Sequence, residues 1–132
     1  FDPFNNLLCQ VVGSKEVAVF SRGWGKQYLY PAVGTTQANT SLVNFSNPDG
    51  VAHPLYKKGL AEAVAVNLVN TNADASAGVV SGESPATGAA GDSSLEAGVG
   101  YLEPGDAIFI PFKWWHYCEA RSISCSVNFW WL

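Results

Sequence analysis

Histidine is the side chain most often used for acid-base chemistry and metal binding, and this chain has only His53 and His116. A site with three histidines is therefore impossible here, and a Ser-His-Asp triad would need one of the two. His53 lies in the turn-like segment 49–54 and is interpreted as a solvated loop residue. His116 follows two tryptophans, where an imidazole must find a hydrogen-bond partner or a metal. A core histidine bonded to the backbone and a ligand are both compatible with this setting.

Asp2 is the second candidate, because its carboxylate stands just before the first predicted strand. Composition alone favours a frayed terminal acid at this position. The three cysteines, Cys9, Cys118 and Cys125, have no C-x-x-C spacing of the kind used in zinc or redox sites. They are interpreted as small buried apolar residues in a reducing compartment.

The elements that position these side chains are constrained by length and composition. With 132 residues and 48% apolar side chains, the chain is expected to form one domain around one core. Neither a membrane span nor a signal peptide is expected within this stretch, because no uncharged apolar window approaches about 18 residues. The sequence has no methionine and opens on Phe1, which predicts a fragment of a longer protein.

One segment differs from the rest in composition. Residues 71–100 contain 20 Ala, Gly, Ser or Thr among 30 residues, so they are predicted to be a flexible, low-complexity insertion rather than a catalytic lid. They also hold four of the 11 acidic residues and none of the seven Lys and Arg. The remaining body is neutral and has no basic stripe, which disfavours nucleic acid as a partner.

The body is predicted to be mostly β, with one helical stretch near residues 56–64. Residues 6–12 and 15–20 flank Gly13-Ser14, a connection that suits a type II′ hairpin in which Val12 faces Lys15. In that register one side of the sheet carries Asn6, Leu8, Gln10, Val12, Lys15, Val17 and Val19. Pro104-Gly105 suits a type II turn that leads into a strand over residues 107–110. Apolar and polar side chains alternate strictly over residues 123–131, which predicts a strand with an apolar face toward the core and a small polar face toward a pocket. Short antiparallel strands with such patterns favour a sandwich or barrel, with a jelly roll as the leading case.

Seven segments, taken in chain order, carry a family resemblance. They read FDPFNNLLCQVVGSK at 1–15, YLYP at 28–31, NTS at 39–41, NPD at 47–49, LEPGDAIFIP at 102–111, WWH at 114–116 and SVNFWW at 126–131. Together they resemble the cupin-like JmjC-domain hydroxylases over nearly the whole chain outside the insertion. The resemblance implies an all-β fold, the double-stranded β-helix or jelly roll. It also implies a dioxygenase that uses Fe(II), 2-oxoglutarate and O2 to hydroxylate protein or RNA, some members being assigned as lysine demethylases.

The resemblance also implies a ligand set. The family holds its iron with a His-x-Asp pair and a distant second histidine; Asp2 matches the aspartate and His116 the distant histidine. Both are thereby assigned catalytic, metal-binding roles in a facial arrangement that leaves three positions open. The first histidine is expected immediately before Phe1, and the first strands of the domain upstream of it.

Three further residues match positions that contact the cosubstrate in the family. Lys15 resembles the basic anchor of the far carboxylate of 2-oxoglutarate, and Asn6 and Asn128 resemble polar contacts to it. In the hairpin register above, however, Asn6 and Lys15 lie about 20 Å apart on a flat sheet. Either the strand bends strongly, or Asn6 acts near the metal while Lys15 binds the other end of the ligand.

The sequence therefore predicts an intracellular, cytoplasmic or nuclear Fe(II)/2-oxoglutarate dioxygenase that hydroxylates a protein side chain. A tRNA-modifying hydroxylase of the same family is an alternative, and it would show a strong salt dependence of substrate binding. A third hypothesis is a catalytically inactive cupin that serves as a binding module.

Overall fold

The part of the chain that the structure describes folds into two facing sheets with two short helices. The computed structural model describes residues 1–62, 64–65 and 96–132. In chain order the elements are β1 (Asn5–Val12), β2 (Lys15–Phe20), α1 (Arg22–Tyr28), α2 (Pro54–Glu62), β3 (Val64–Ala65), β4 (Glu96–Leu102), β5 (Ala107–Ile110), β6 (Trp115–Ala120) and β7 (Cys125–Trp131). The predominance of strands and the helix near residue 56 agree with the sequence prediction, whereas α1 was not predicted.

Sheet topology confirms the predicted jelly roll. One sheet has three strands in the order β5-β1-β7, and the other has four in the order β3-β4-β2-β6. All neighbours are antiparallel except β3 and β4. We call them the three-stranded and the four-stranded sheet. β1 and β2 lie in different sheets, and from β4 to β7 successive strands alternate between the sheets, so the described chain repeatedly crosses from one layer to the other.

The predicted hairpin between residues 6–12 and 15–20 is wrong. Both strands form, but β1 pairs with β5 and β7, while β2 pairs with β4 and β6. Gly13 and Ser14 therefore carry the chain between layers. Gly13 has φ +68°, and a Cβ there would overlap the carbonyl oxygen of Ile123. A connection that begins with glycine fits a hairpin and this crossover equally well, because both need a positive φ at its first residue.

The core between the layers explains why the two strands look alike in sequence. Val17 and Val19 of β2 pack against Leu8 of β1, and Leu102, Ile108 and Ile110 complete this buried cluster. Residues that were predicted to share one side of a hairpin thus face each other across the two sheets. The 20 Å separation inferred from a flat hairpin does not apply to this arrangement.

The alternation in β7 is confirmed, but the prediction that its apolar face points toward the core is wrong. Ser126, Asn128 and Trp130 lie opposite Gln10, Leu8 and Asn6 of β1, so this face points toward the other sheet. Phe129, on the opposite face, is 56% exposed, and Trp131 is 45% exposed. The apolar face of β7 is therefore on the outside of the three-stranded sheet.

The predicted turn and strand at residues 103–110 are confirmed. The Asp106 N–H donates to the Glu103 carbonyl, 2.9 Å, and Gly105 has φ +97°, as a type II turn requires. Most of the predicted insertion lies outside the described residues. Its end was placed too late, however, because β4 begins at Glu96 and residues 97–100 pair with β2. Pairing and the burial of Ala97 outweigh the small-residue composition there.

The outer face of the four-stranded sheet carries a second, aromatic core. Phe20 of β2 stacks on Trp24 of α1 with ring centroids 4.5 Å apart. The indole N–H of Trp24 donates to the Gly59 carbonyl in α2, 3.0 Å. Ser21 caps α1 by accepting from the Trp24 N–H. This aromatic core packs the helices α1 and α2 against the outer face of the four-stranded sheet.

Candidate active site

Asp2 and His116, 114 residues apart in sequence, come together in the structure. Oδ2 of Asp2 lies 3.6 Å from Nε2 of His116. His116 is in β6 opposite Val19, whose side chain is buried between the sheets, so the imidazole leaves the inner face of the four-stranded sheet. The side chain of His116 is 21% exposed and that of Asp2 39%. The pair is therefore open to solvent on one side.

Backbone contacts hold the two residues in register. The Asp2 carbonyl accepts from the Lys113 N–H, 3.1 Å, in the turn that directly precedes β6. In the same turn the Phe112 N–H donates to Oδ1 of Asn5, 3.0 Å. Lys113 itself has φ +61°. These two hydrogen bonds attach the segment that contains Asp2 and Asn5 to the turn that leads into His116. Sequence reasoning missed Asn5, whose only signal was a polar residue at the start of a strand.

His116 is oriented and electrostatically tuned by its surroundings. Burial lowers the pKa of the imidazole, with a smaller contribution from the Phe1 amino group, while the Asp2 carboxylate and the Trp114 carbonyl act in the opposite direction. Nδ1 lies 3.4 Å from that carbonyl, which leaves Nε2 directed toward Asp2. A histidine kept neutral, with one nitrogen aimed at a carboxylate, has the protonation state that metal ligation requires.

Lys15 lies at the other end of the same inner face. It pairs with Leu102 on one side and Ala120 on the other, in line with His116 along the sheet. Its ammonium charge acts on the thiol of Cys118, which pairs with Val17 in the same sheet. Within residues 1–62 and 96–132, the side chain of Lys15 has no hydrogen bond or ion pair. The structure thus presents a half-buried cation without a counter-ion among its described neighbours.

Asn6 supplies a buried polar group from the facing sheet. It is only 2% exposed, and its Oδ1 has no hydrogen-bond partner among the described residues. A buried carbonyl oxygen without a donor costs free energy, so a ligand or water would be expected to satisfy it. Its register partners are Trp130 and Ile110, which places it on the inner face.

Asn128 lies on the same inner face, opposite Leu8. It is partly exposed, and Ser126, two residues earlier, donates to Oε1 of Gln10 at 2.6 Å. Asn6 and Asn128 therefore come from neighbouring strands of one sheet, and Lys15 and His116 from the other. The space between the sheets is lined by a cation, amides and an imidazole. Sequence reasoning placed Gln10 on this face but gave it no role, although a polar residue between Leu8 and Val12 was a signal.

The surroundings of His53 and of the three cysteines differ from those predicted. His53 is half-buried, with its ring 4.8 Å from that of Tyr30 and no described partner for Nδ1, so it is not simply a solvated loop residue. Cys118 and Cys125 are exposed and Cys9 is intermediate, and all three are free thiols. The prediction that all three are buried is therefore wrong, because two of them lie on strands with open surfaces.

Two cavities flank the four-stranded sheet. One of about 340 Å³ adjoins His116 and is lined by aromatic rings and by neutral polar residues of the segment 39–44. A larger one of about 680 Å³ lies over the outer face of the sheet, along Ala18 and Ala97, away from Asp2. Of these two cavities the smaller one touches His116, but its lining also includes Phe20 and Trp115 of the outer aromatic core, and Lys15, Asn6 and Asn128 do not line it.

The donor set fits part of a metal site. Two ligands that stand about 2 Å from one ion at a right angle are about 3 Å apart, so a 3.6 Å separation needs only a small side-chain adjustment. No group of three His, Cys, Asp or Glu that could hold a metal occurs within the described ranges. These residues therefore fit two positions of a two-His-one-carboxylate site.

Neither described helix has the length or apolar character needed to span a bilayer.

Comparisons with known proteins point to the same family as the motifs. A family model described as a cupin-like domain matches residues 90–132. The chain is 32% identical over 98% of its length to lysine-specific demethylase 8 of Danio rerio, of which it covers 23%. It is 29% identical over 99% of its length to Jumonji C domain-containing protein 5 of Drosophila melanogaster, of which it covers 23%.

A third relative has a different substrate in its name. The chain is 29% identical over 99% of its length to tRNA wybutosine-synthesizing protein 5 of Homo sapiens, of which it covers 29%. The chain thus spans between a fifth and a third of the length of these relatives. The predicted resemblance to cupin-like JmjC-domain proteins is confirmed by these matches.

Proposed function

Starting from this relationship to cupin-like JmjC-domain proteins, we propose that the chain is the jelly-roll core of an Fe(II)- and 2-oxoglutarate-dependent dioxygenase that hydroxylates a protein side chain. The observation that carries the proposal is the 3.6 Å approach of Asp2 to His116 on the inner face of the jelly roll. A carboxylate and a neutral imidazole converging from distant parts of the chain suit iron ligation. The same face also bears the uncompensated Lys15.

Asp2 and His116 would hold Fe(II), Asp2 through its carboxylate and His116 through Nε2. Bound iron, with 2-oxoglutarate and O2, supplies the oxidising chemistry that inserts oxygen into a C–H bond. The chain contributes geometry: the Trp114 carbonyl faces Nδ1 of His116, and Lys113 holds the backbone of Asp2. The aromatic core behind the four-stranded sheet keeps β6 in place.

Lys15 would bind the far carboxylate of 2-oxoglutarate through a charge-assisted contact. Oδ1 of Asn6, which has no described partner, would accept a hydrogen bond from a donor near that ligand, such as an ordered water. The side-chain amide of Asn128 would contact the ligand itself. All three residues lie on inner faces, which is where a small dicarboxylate between the sheets would bind. Such a ligand supplies the negative charge that Lys15 lacks among its described neighbours.

A protein substrate is favoured by charge. Outside residues 71–100 the chain has seven basic and seven acidic residues, so it has no excess of positive charge for RNA phosphates. The wybutosine-synthesizing relative supports a second candidate, a tRNA substrate. Binding of substrate that weakens steeply with added salt would favour tRNA, whereas a weak salt dependence would favour protein.

The decisive experiment measures Fe(II)-dependent turnover of 2-oxoglutarate by the full-length gene product. We expect His116→Ala and Asp2→Ala each to abolish turnover, because each removes a ligand. His53→Ala is the matched control, since His53 is the other histidine of the chain and lies against Tyr30 rather than Asp2. It should retain turnover.

Mass spectrometry of candidate substrates would then separate the products. Gain of one oxygen atom identifies a hydroxylase, and loss of a methyl group identifies a demethylase. If the full-length protein folds but neither binds iron nor consumes 2-oxoglutarate, the dioxygenase proposal is wrong and the inactive binding module is the better description.

A further inference from the structure

We infer that Gln10 is a positioning residue: it holds the crossover from β1 to β2 in the geometry that directs Lys15 at a dicarboxylate between the sheets. The inference rests on the proposed function, because it assigns Lys15 the far carboxylate of 2-oxoglutarate. Gln10 is 2% exposed, although its side chain is polar. A buried amide is stable only where its donors and acceptor are used, so its contacts indicate what it holds.

The side-chain amide of Gln10 holds the crossover directly. Nε2 donates to the carbonyl of Val12 at 2.7 Å and to that of Gly13 at 2.9 Å. Oε1 accepts from the hydroxyl of Ser126 in β7 at 2.6 Å. One side chain therefore links the crossover that leads to Lys15 with the strand that carries Asn128.

The backbone of Gln10 is fixed as well. Its N–H donates to the Asp106 carbonyl at 2.8 Å, and its carbonyl accepts from the Gly105 N–H at 2.9 Å. Asp106 is buried and its Oδ2 accepts from the Glu103 N–H, which closes the turn between β4 and β5. Gln10 therefore cannot shift along the sheet without breaking contacts to this turn.

The far side of the crossover is bonded to the loop after β6. The Ser14 N–H donates to the hydroxyl of Ser122, and the Ser14 carbonyl accepts from the Arg121 N–H, both at 2.9 Å. Gln10 on one side and this loop on the other thus clamp Gly13-Ser14 from both sides. Lys15 is the next residue, so the direction in which its side chain leaves the sheet depends on this clamp.

Loss of the Gln10 amide would leave the carbonyls of Val12 and Gly13 without their side-chain donor. The crossover would then relax toward other donors, and Lys15 would move with it. Ligand affinity is expected to fall more than fold stability, because the sheets on both sides keep their ladder hydrogen bonds. A residue that acts only by supporting the fold would lower both together.

The test is equilibrium binding of 2-oxoglutarate to the full-length gene product loaded with Mn(II), which does not support turnover, by isothermal titration calorimetry. We expect Lys15→Ala to weaken binding most and Gln10→Leu to weaken it about tenfold, as removal of a supporting contact typically does. Gln10→Glu keeps the side-chain size and the acceptor for Ser126 but loses both donors to the crossover. It should weaken binding similarly, and it replaces Gln10→Leu if that variant does not fold.

A double-mutant cycle decides whether Gln10 acts through Lys15. In the Lys15→Ala background, Gln10→Leu or Gln10→Glu should cause no further loss of affinity, because the residue being positioned is gone. Additive losses, or unchanged binding in the single Gln10 variants, would overturn the inference while the proposed function stands. If the unmodified protein itself does not bind 2-oxoglutarate, the proposed function fails, and the inference fails with it.

Discussion

The two sheets differ in how their outer faces are covered. The four-stranded sheet packs its outer face against α1 and α2, where Trp24 is fully buried and Tyr28 is 1% exposed. The outer face of the three-stranded sheet carries residues of similar size, yet Phe129 and Trp131 are about half exposed. Trp131 stacks on Phe109 of β5, with ring centroids 5.8 Å apart.

This difference shows that apolar residues on one face of a strand do not by themselves mark a core. The inner face of β7 is more polar than its outer face because it lines a candidate ligand site. A buried polar group needs a hydrogen-bond partner, and here Oε1 of Gln10 accepts from the hydroxyl of Ser126. The four-stranded sheet is thus expected to provide most of the stability, and the space between the sheets most of the chemistry.

The largest expected effect is in the aromatic core of the four-stranded sheet. Trp24→Ala should lower the free energy of unfolding by about 3–5 kcal/mol, since it leaves a cavity beside Phe20 and removes the bond to Gly59. Urea denaturation followed by circular dichroism measures the change. A loss below about 1 kcal/mol would contradict the view that this side supplies the main core.

A smaller effect is expected at the crossover that links the two sheets. Gly13→Ala should destabilise the protein by about 2 kcal/mol, because the positive φ disfavours any Cβ and this Cβ would overlap the Ile123 carbonyl. Gly34→Ala is the matched control: Gly34 also has a positive φ, +82°, but nothing lies within 4 Å of its added Cβ. Equal losses for both variants, measured by urea denaturation, would show that crowding at the crossover contributes nothing.

The exposed face of the three-stranded sheet should tolerate change. Phe129→Ala should cost less than about 1 kcal/mol in the same urea experiment, because the ring is already half in water. This is the direct counterpart of Trp24→Ala. If both aromatic substitutions cost the same, the contrast between the two outer faces is wrong.

The smallest effect concerns the ion pairs at the end of the four-stranded sheet. Hydrogen bonding to Arg121 lowers the pKa of Glu16 from its usual 4.5, and Arg121 also lies 3.4 Å from Glu119. Because the folded-state pKa is lowered, Glu16 contributes stability above pH 4.5 that is lost as the pH falls through the folded-state value. Glu16→Gln should therefore slightly flatten the acid side of a melting-temperature profile.

The control for that profile is Glu103→Gln, which changes an exposed acid outside this cluster. A change of the same size in both variants would mean that the Arg121 contact adds nothing beyond general charge. The effect should also shrink in added salt, since these groups are at the surface.

Strands bounded by strong turn signals were predictable from sequence. Pro104-Gly105 and Pro111 delimit β5, and the structure places this strand at the predicted residues. β2 likewise begins and ends where expected. By contrast, α1 was missed because Gly23 and Gly25 lower helix propensity. Gly25 is required there by packing, since a Cβ would overlap the Trp115 ring, and such contact between distant elements cannot be read locally.

The candidate site was predictable in its membership but not in its geometry. The family resemblance selects Asp2, His116, Lys15, Asn6 and Asn128. That Asp2 and His116 approach to 3.6 Å depends on contacts of Asp2 and Asn5 with the turn before β6. The role inferred for Gln10 also depends on partners 96 and 116 residues away in sequence.

Local sequence by itself determined the alternation of β1 and β7 and the turn types, because these depend on side-chain period and on the φ that glycine permits. Only the tertiary structure decided which sheet each strand joins and which face of β7 is inside. A Gly-Ser connection can close a hairpin or cross between layers, and the choice is made by pairing partners far along the chain. The separation of Asn6 and Lys15 onto opposite sheets is a consequence of that long-range pairing.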